Sequence, residues 1–279
     1  MQNTNSDDPV NLTPDALQQY IDSHAEKDYL LIDVRQPQEY GLGHIPGSRL
    51  MPLLEFEANL YDLPNDRDLL FYCRNGGRSL AASMLAAEAE VSTARIYHLD
   101  GGIMAWYGKT LTDFPRVQVF NRKTEPAEML YMGMELEKGA WRFYQHVVTH
   151  LAEQGVTGIF EKLAAAETAH ARTIYKIWQS DRAEVPPFDQ LFEKLHGDII
   201  EGGQTLAEVL TRLPMNADTI CVDLVELALH IEYTAFDLYR VMAEQNEDPA
   251  LKSTFLALAQ AEKGHMRMLI QAVTHCENA

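Results

Sequence analysis

Two stretches decide the fold of the larger part of this chain: FEKLAAAETAHAR (160–172) and FLALAQAEKGHMR (255–267). Laid over one another at an offset of 95 residues, they align Phe, Leu, Ala, Glu, His and Arg. The same offset carries Glu137 onto Glu232 and Tyr144 onto Tyr239, so Glu137, Tyr144, Glu167 and His170 recur as Glu232, Tyr239, Glu262 and His265. Residues three apart share a helical face, so each Glu-x-x-His presents both side chains together. A Glu plus a Glu-x-x-His, supplied twice, is what a carboxylate-bridged two-metal site in a four-helix bundle requires.

Working outward, apolar residues recur with a period of 3.6 from about residue 126 onward. Helices are expected over about 126–152, 156–180, 217–246 and from 249, with Asn216 or Asp218 near the cap of the third. Asp248-Pro249 supplies the cap and first-turn proline of the fourth. Between the second and third runs a long crossover, 181–215, with Pro186-Pro187 and short helices expected near 188–196 and 204–212. Glu137 and Glu167 lie 30 residues apart with their midpoint at Ala152, beside the expected turn. Each is therefore about 22 Å from that turn on antiparallel helices, and the two sit level. The midpoint of Glu232 and Glu262, at Glu247, gives the same result.

Four carboxylates and two imidazoles suit Fe or Mn and lack the thiolates that favour structural zinc. Tyr144 and Tyr239 lie two turns past their Glu on the same face, as groups able to steady the ligands or to fill core. These residues resemble the rubrerythrin branch of the ferritin-like family over about 126–279. The resemblance implies two non-haem iron ions (or Mn) bridged by Glu167 and Glu262, with Glu137 and Glu232 as further carboxylates and His170 and His265 as ligands or near-ligands. Rubrerythrins of the usual form also carry two CxxC pairs, absent here, and a Glu three residues beyond the third-helix ligand, where this chain has Ala235. Electrons would come from a donor that this chain does not identify.

The first part of the chain reads differently. A helix is expected over 13–24, capped by Thr13 with Pro14 in its first turn, and apolar runs follow at Leu30–Val34, Leu69–Cys73 and Arg95–Leu99. With the helical stretch 78–89 they form an alternating α/β pattern and a largely parallel sheet. The fold class is thus multidomain, α/β followed by all-α: residues 1–118, a linker at 119–125, and the bundle at 126–279. Cys73 closes the run LLFY and opens CRNGGRS. A strand–loop–helix turn aims backbone N–H groups at one point. Arg74 and Arg78 add positive charge, and Gly76 and Gly77 let the backbone curl closely. Such surroundings lower a thiol pKa and make Cys73 a nucleophile.

CRNGGRS, LIDVRQPQEYGLGHIPGS (31–48) and LDGGIMAW (99–106) together resemble the rhodanese sulfurtransferases over about 10–110. The resemblance implies that Cys73 accepts sulfane sulfur as a persulfide, from thiosulfate or another persulfide, and passes it to a thiol or cyanide. Catalysis would rest on Cys73 and Arg78, with Arg74, Asn75, Gly76, Gly77 and Ser79 cradling the persulfide or donor anion. Asp33, Arg35, His44 and Asp100 would support the fold. The six-residue loop is that of the family's sulfur handlers, whereas its phosphatase relatives have a loop one residue longer.

The formal charge is −18 over 279 residues, shared between both parts, which argues against nucleic-acid and anionic-membrane partners. Residues 1–118 hold 9 Lys/Arg and 17 Asp/Glu, leaving 14 and 24 for the rest. Cys221 and Cys276 are expected as packing or surface residues, with no disulfide framework, as in a reducing cytosol. The opening MQNTNSDDPV lacks an apolar leader, and a cytoplasmic protein is expected. A homodimer is the default by analogy. Three functions stand open: sulfur transfer coupled to di-iron redox chemistry; peroxide or O2 handling with the first domain as a sulfur-sensing or docking module; and storage or scaffolding.

Overall fold

The structure, a computed structural model, describes residues 8–120, 125–150, 157–180, 182, 184–213 and 220–276. It divides into two compact units, Met1–Phe114 and Pro115–Ala279.

The first unit holds, in chain order, β1 (Val10–Leu12), α1 (Pro14–Ser23), β2 (Tyr29–Asp33), α2 (Pro37–Leu42), β3 (Arg49–Leu50), α3 (Leu53–Phe56), β4 (Asp68–Tyr72), α4 (Gly77–Glu88), β5 (Ile96–Leu99) and α5 (Gly102–Ala105). The five strands form one sheet in the order β1-β5-β4-β2-β3, every pair parallel. Side chains of a strand alternate between faces, and both faces here are covered. Leu30 and Ile32 of β2 and Leu69 and Phe71 of β4 pack with Phe56, Ala82 and Ala86 of α3 and α4. Tyr29, Leu31, Leu70 and Tyr72 turn the other way, to Leu17 of α1. Double burial explains why these strands read as unbroken apolar runs. The edge strands β1 and β3, three and two residues long, carry no such run, and the sequence does not announce them.

The second unit holds α6 (Pro126–His150), α7 (Thr157–Trp178), α8 (Phe188–Lys194), α9 (Leu206–Leu210), α10 (Ile220–Gln245) and α11 (Pro249–Cys276). α6 pairs with α7 and α10 with α11 as two hairpins. Two apolar clusters fill the interior. One includes Met134, Ala171, Ile174, Ala235, Tyr239 and Ala259. The other includes Ala140, Tyr144, Ala164, Ala228, Ile231 and Leu269. On α6, α7 and α10 the ligand-type glutamate falls between the residues of one cluster and those of the other; on α11 Glu262 lies near the same boundary, with Met266 of the first cluster just beyond it. The expected turn at Ala152 and the cap at Asn216 or Asp218 lie outside the described residues.

Two expectations need correction. Cys221 and Cys276 form a disulfide, with Cα atoms 5.5 Å apart. The hairpin that levels Glu232 with Glu262 also levels the first turn of α10 with the end of α11, which brings the two sulfurs together. The expected linker also begins inside the bundle: Phe120 is buried, edge-on to Phe255 with ring centroids 5.7 Å apart.

Candidate functional sites

β4 delivers Cys73 to the C-terminal edge of the parallel sheet, where open α/β sheets bind ligands. Gly76 takes a φ of +97°, open to glycine and strained for other residues. Its N–H thereby turns onto Cys73 Sγ at 3.1 Å. The loop is braced from behind: Ile103 N donates to Cys73 O at 2.8 Å and Met104 N to Arg74 O at 3.1 Å. A Cβ on Gly102 would fall 2.4 Å from Cys73 O, so the second glycine of LDGGIMAW answers a close backbone approach.

Burial pushes the Cys73 thiol up, but the Ser79 hydroxyl and the amides of Ser79, Asn75 and Gly76 outweigh it, and the pKa falls below its ordinary value. Ser79 has one hydroxyl proton for two acceptors, Gly76 O at 2.9 Å and Cys73 Sγ at 3.5 Å. The carbonyl is the nearer, so the amides are the constant stabilisers of the thiolate.

The predicted loop residues gather as a ring. Cys73, Gly76 and Ser79 are buried, while Arg74, Asn75 and Gly77 form an exposed rim. Arg78 is engaged elsewhere: its Nη1 and Nη2 each donate to Glu39 at 2.7 Å. That pairing, with some opposing burial, holds the Glu39 carboxyl down to about 2. Asp33 and Arg35 form a buried pair at 2.6 Å, and Arg35 also donates to Gly43 O. His44 stacks on Tyr40 and exchanges backbone hydrogen bonds with Leu111.

In the bundle, all six expected ligands converge. One ligand atom from each of Glu167, His170, Glu262 and His265 lies within 4.8 Å of the other three. His170 Nδ1 stands 3.2 Å from both Glu137 Oε2 and Glu167 Oε2. His265 Nδ1 mirrors it, 3.0 Å from Glu232 Oε2 and 2.9 Å from Glu262 Oε2. The tyrosines cross over: Tyr239 donates to Glu137 at 2.6 Å, and Tyr144 donates to Glu232. Burial and the facing carboxylates raise both phenols well above their ordinary value, so they stay protonated donors.

The charges are arranged in pairs. Burial raises Glu137 and Glu232, but the histidines draw both below the usual carboxylate range. Against burial, which lowers them, those carboxylates push His170 and His265 up to about 12. Burial lifts Glu167 to about 8 and Glu262 well above its ordinary value. No hydrogen bond reaches the buried oxygens of Glu167 and Glu262, whose near polar neighbours include the imidazoles of His170, at 3.2 Å, and His265, at 2.9 Å. Orphaned buried carboxylate oxygens are costly, and cations bridging the two would satisfy them. The donor set therefore fits metal ions.

The sequence reading missed one residue. Glu201, from the crossover, is 2% exposed, and one of its oxygens lies within 4.8 Å of oxygens from Glu137, Glu167 and Glu262. It sits outside the 95-residue repeat, so no internal comparison could mark it. The glycines around it, Gly197, Gly202 and Gly203, are its trace in the sequence.

A parallel α/β unit with a wrapped thiol at a strand end is followed by a helical bundle lined with carboxylates and imidazoles that could hold metal. Residues 13–109 match the family described as rhodanese-like domain, and residues 223–279 match rubrerythrin. The second match spans α10 and α11 with Glu232, Glu262 and His265. A sulfurtransferase of Allochromatium vinosum is 38% identical over 80 residues, 29% of this chain and 73% of that protein. The putative sulfurtransferase YtwF of Bacillus subtilis is 32% identical over 86 residues, 31% of this chain and 81% of that protein. The probable adenylyltransferase/sulfurtransferase MoeZ of Mycobacterium tuberculosis is 40% identical over 97 residues, 34% of this chain. The chain spans about a quarter of MoeZ, 24% of its length. Through its first domain this chain belongs to the rhodanese-like family, and its second is a rubrerythrin-type, ferritin-like domain. No helix among the described residues is long and apolar enough to cross a membrane.

Proposed function

We propose that this protein is a sulfurtransferase that moves sulfane sulfur through a Cys73 persulfide, coupled to a non-haem di-iron domain with redox activity toward peroxide, O2 or a sulfur species. The observation that carries the first part is the Gly76 N–H held 3.1 Å from Cys73 Sγ. With thiosulfate as donor, the Cys73 thiolate bonds to the outer sulfur while the donor's S–S bond breaks and sulfite leaves with the electron pair. The loop amides that hold the thiolate also hold the persulfide anion. A thiol or cyanide then attacks the outer sulfur, and Cys73 returns as thiolate. Arg74 and Asn75 on the rim receive the donor anion, and Arg78 sets the loop through Glu39.

In the bundle, Glu137, Glu167, His170, Glu232, Glu262 and His265 would hold two iron ions. Iron bound there supplies electron-transfer and O2-type chemistry. The protein's own part is to exclude water with the apolar clusters on either side and to hold Glu137 and Glu232 by tyrosine hydrogen bonds. Electrons come from an external donor, and the proposed compartment is the cytoplasm, where the Cys221–Cys276 disulfide would be an exception to the usual reduced state of cysteines. A homodimer is the proposed assembly.

Thiosulfate:cyanide sulfur transfer tests the first part: it should vanish in Cys73→Ala, and survival there would remove the assigned nucleophile. Metal analysis of anaerobically purified protein should find about two Fe or Mn per chain, as a dinuclear site requires. A second reading, peroxide removal with the first domain as a docking module, draws on a complete ligand set that needs no residue of that domain. Peroxide consumption lost in Glu167→Gln yet unchanged in Cys73→Ala would favour it.

A further inference from the structure

The crossover between α7 and α10 does more than connect them. Residues 198–206 double back as a tight loop: Leu206 N donates to Asp198 O, Ile200 N to Gln204 O, and Gly203 N to Ile200 O, all at 2.9 Å. The last bond closes a four-residue turn with Glu201 and Gly202 at its centre. Gly202 has φ +81°, the positive value that a type II turn demands at its third residue. Loop tips ordinarily face solvent, yet Glu201 at this one is 2% exposed.

The loop is pressed onto the bundle at matching points of the two hairpins. A Cβ on Gly139 of α6 would lie 2.2 Å from Ile199 O, and one on Gly202 would lie 2.6 Å from Thr234 Oγ1 of α10. Positions 139 and 234 are equivalent under the 95-residue repeat. Arg142 and Glu135 fix the loop further, through Gly197 O at 3.1 Å and Gly197 N at 2.8 Å. The side chain so placed ends in a buried oxygen, Oε1, that has no hydrogen-bond partner.

We propose that Glu201 is a metal ligand, a fifth carboxylate brought into the dinuclear site by the crossover turn rather than by a bundle helix. It joins Glu137, Glu167 and Glu262 but not Glu232, so it serves the ion on the Glu137 side. The proposal rests on the di-metal reading above.

The test is titration of full-length apoprotein with Co(II), and separately with Fe(II) under anaerobic conditions, following stoichiometry, affinity and the cobalt d–d bands. Wild type should bind two ions. Glu201→Gln should keep the first and bind the second at least about tenfold more weakly, with altered d–d bands. If melting shows Gln to unfold the bundle, the charge-retaining Glu201→Asp carries the test, and it too should weaken the second ion. Two ions bound with wild-type affinity and unchanged bands in a folded variant would overturn the Glu201 assignment and leave the dinuclear site standing. Wild type that takes up no metal would overturn both.

Discussion

Tyr239 Oη donates a 2.6 Å hydrogen bond to Glu137 Oε1, a residue 102 positions earlier on the opposite hairpin. Tyr144 returns the interaction to Glu232. Each hairpin thus orients a carboxylate that belongs to the other. A hydrogen bond to a charged group is worth about 1.5–3 kcal/mol, and partners that steer ligands are worth roughly tenfold or more in metal affinity. Tyr239→Phe and Tyr144→Phe should each lower the melting temperature and weaken metal binding by about tenfold. Thermal melts and metal titrations of both variants check this, and full wild-type affinity in either would refute it.

Sulfur transfer should track the Cys73 thiolate. Its pKa is depressed, so alkylation by iodoacetamide should stay fast below the ordinary thiol range and fade only as pH falls through the lowered value. Gly76→Ala strains a backbone at φ +97°, at a cost of about 1–3 kcal/mol. It should also shift the alkylation midpoint upward by moving the N–H. Ser79→Ala should shift it less, since that hydroxyl sits nearer Gly76 O. An equal or larger effect in Ser79→Ala would contradict the assignment to the amides.

The Glu39–Arg78 pair makes a specific pH signature. The folded Glu39 pKa, about 2, lies below its ordinary 4.5, so ionised Glu39 stabilises the fold above 4.5 and loses that contribution as pH falls toward 2. The pair is about a third exposed, so screening limits it to about 1 kcal/mol. In urea melts, wild type should exceed Glu39→Gln near neutral pH and converge with it under strong acid. A gap that widens with acid would have the wrong sign.

Gly139→Ala should show how closely the crossover is seated. Its Cβ would meet Ile199 O at 2.2 Å, a backbone atom that cannot rotate away. Overpacking of this kind costs about 1–3 kcal/mol, and the displaced loop carries Glu201. Denaturant unfolding and metal stoichiometry should both fall short of wild type, whereas Gly158→Ala, with open space around it, should leave metal binding intact.

The Cys221–Cys276 disulfide closes a segment with a sequence separation of 55, for which chain entropy sets a contribution of about 4 kcal/mol. Reduction, or Cys221→Ser, should lower the melting temperature of the bundle without abolishing cyanide-dependent sulfur transfer at Cys73. An unchanged melt on reduction would argue against the bond.

The sequence made some of this legible and hid the rest, for physical reasons. The four long helices and the convergence of their six ligand-type side chains were readable because the 95-residue repeat marks them and antiparallel geometry converts spacing into height. The Cys73 loop was readable because Gly76 takes a positive φ that other residues rarely adopt, beside a thiol flanked by arginines. β1 and β3 escaped notice because two or three residues carry no period. The disulfide obeys the same hairpin arithmetic as Glu232 and Glu262, but two cysteines 55 residues apart carry no local spacing signature of a bond. The Arg78–Glu39 pairing joins α4 to α2 over 39 residues that include β3, α3 and β4, and no local rule connects them. Glu201 arrives from a connection, where sequence periodicity has nothing to say.

The crossover has a consequence for the pair of hairpins it joins. Taken alone, they match at the glutamate, tyrosine and histidine positions and exchange tyrosine–glutamate hydrogen bonds as two identical chains would across a symmetry axis. A covalent connection exists only once, so what it contributes cannot be mirrored. By placing Glu201 beside Glu137, with no such counterpart beside Glu232 among the described residues, the link turns two interchangeable halves into a left and a right, and on the proposed di-metal reading it would let the protein treat two like ions differently.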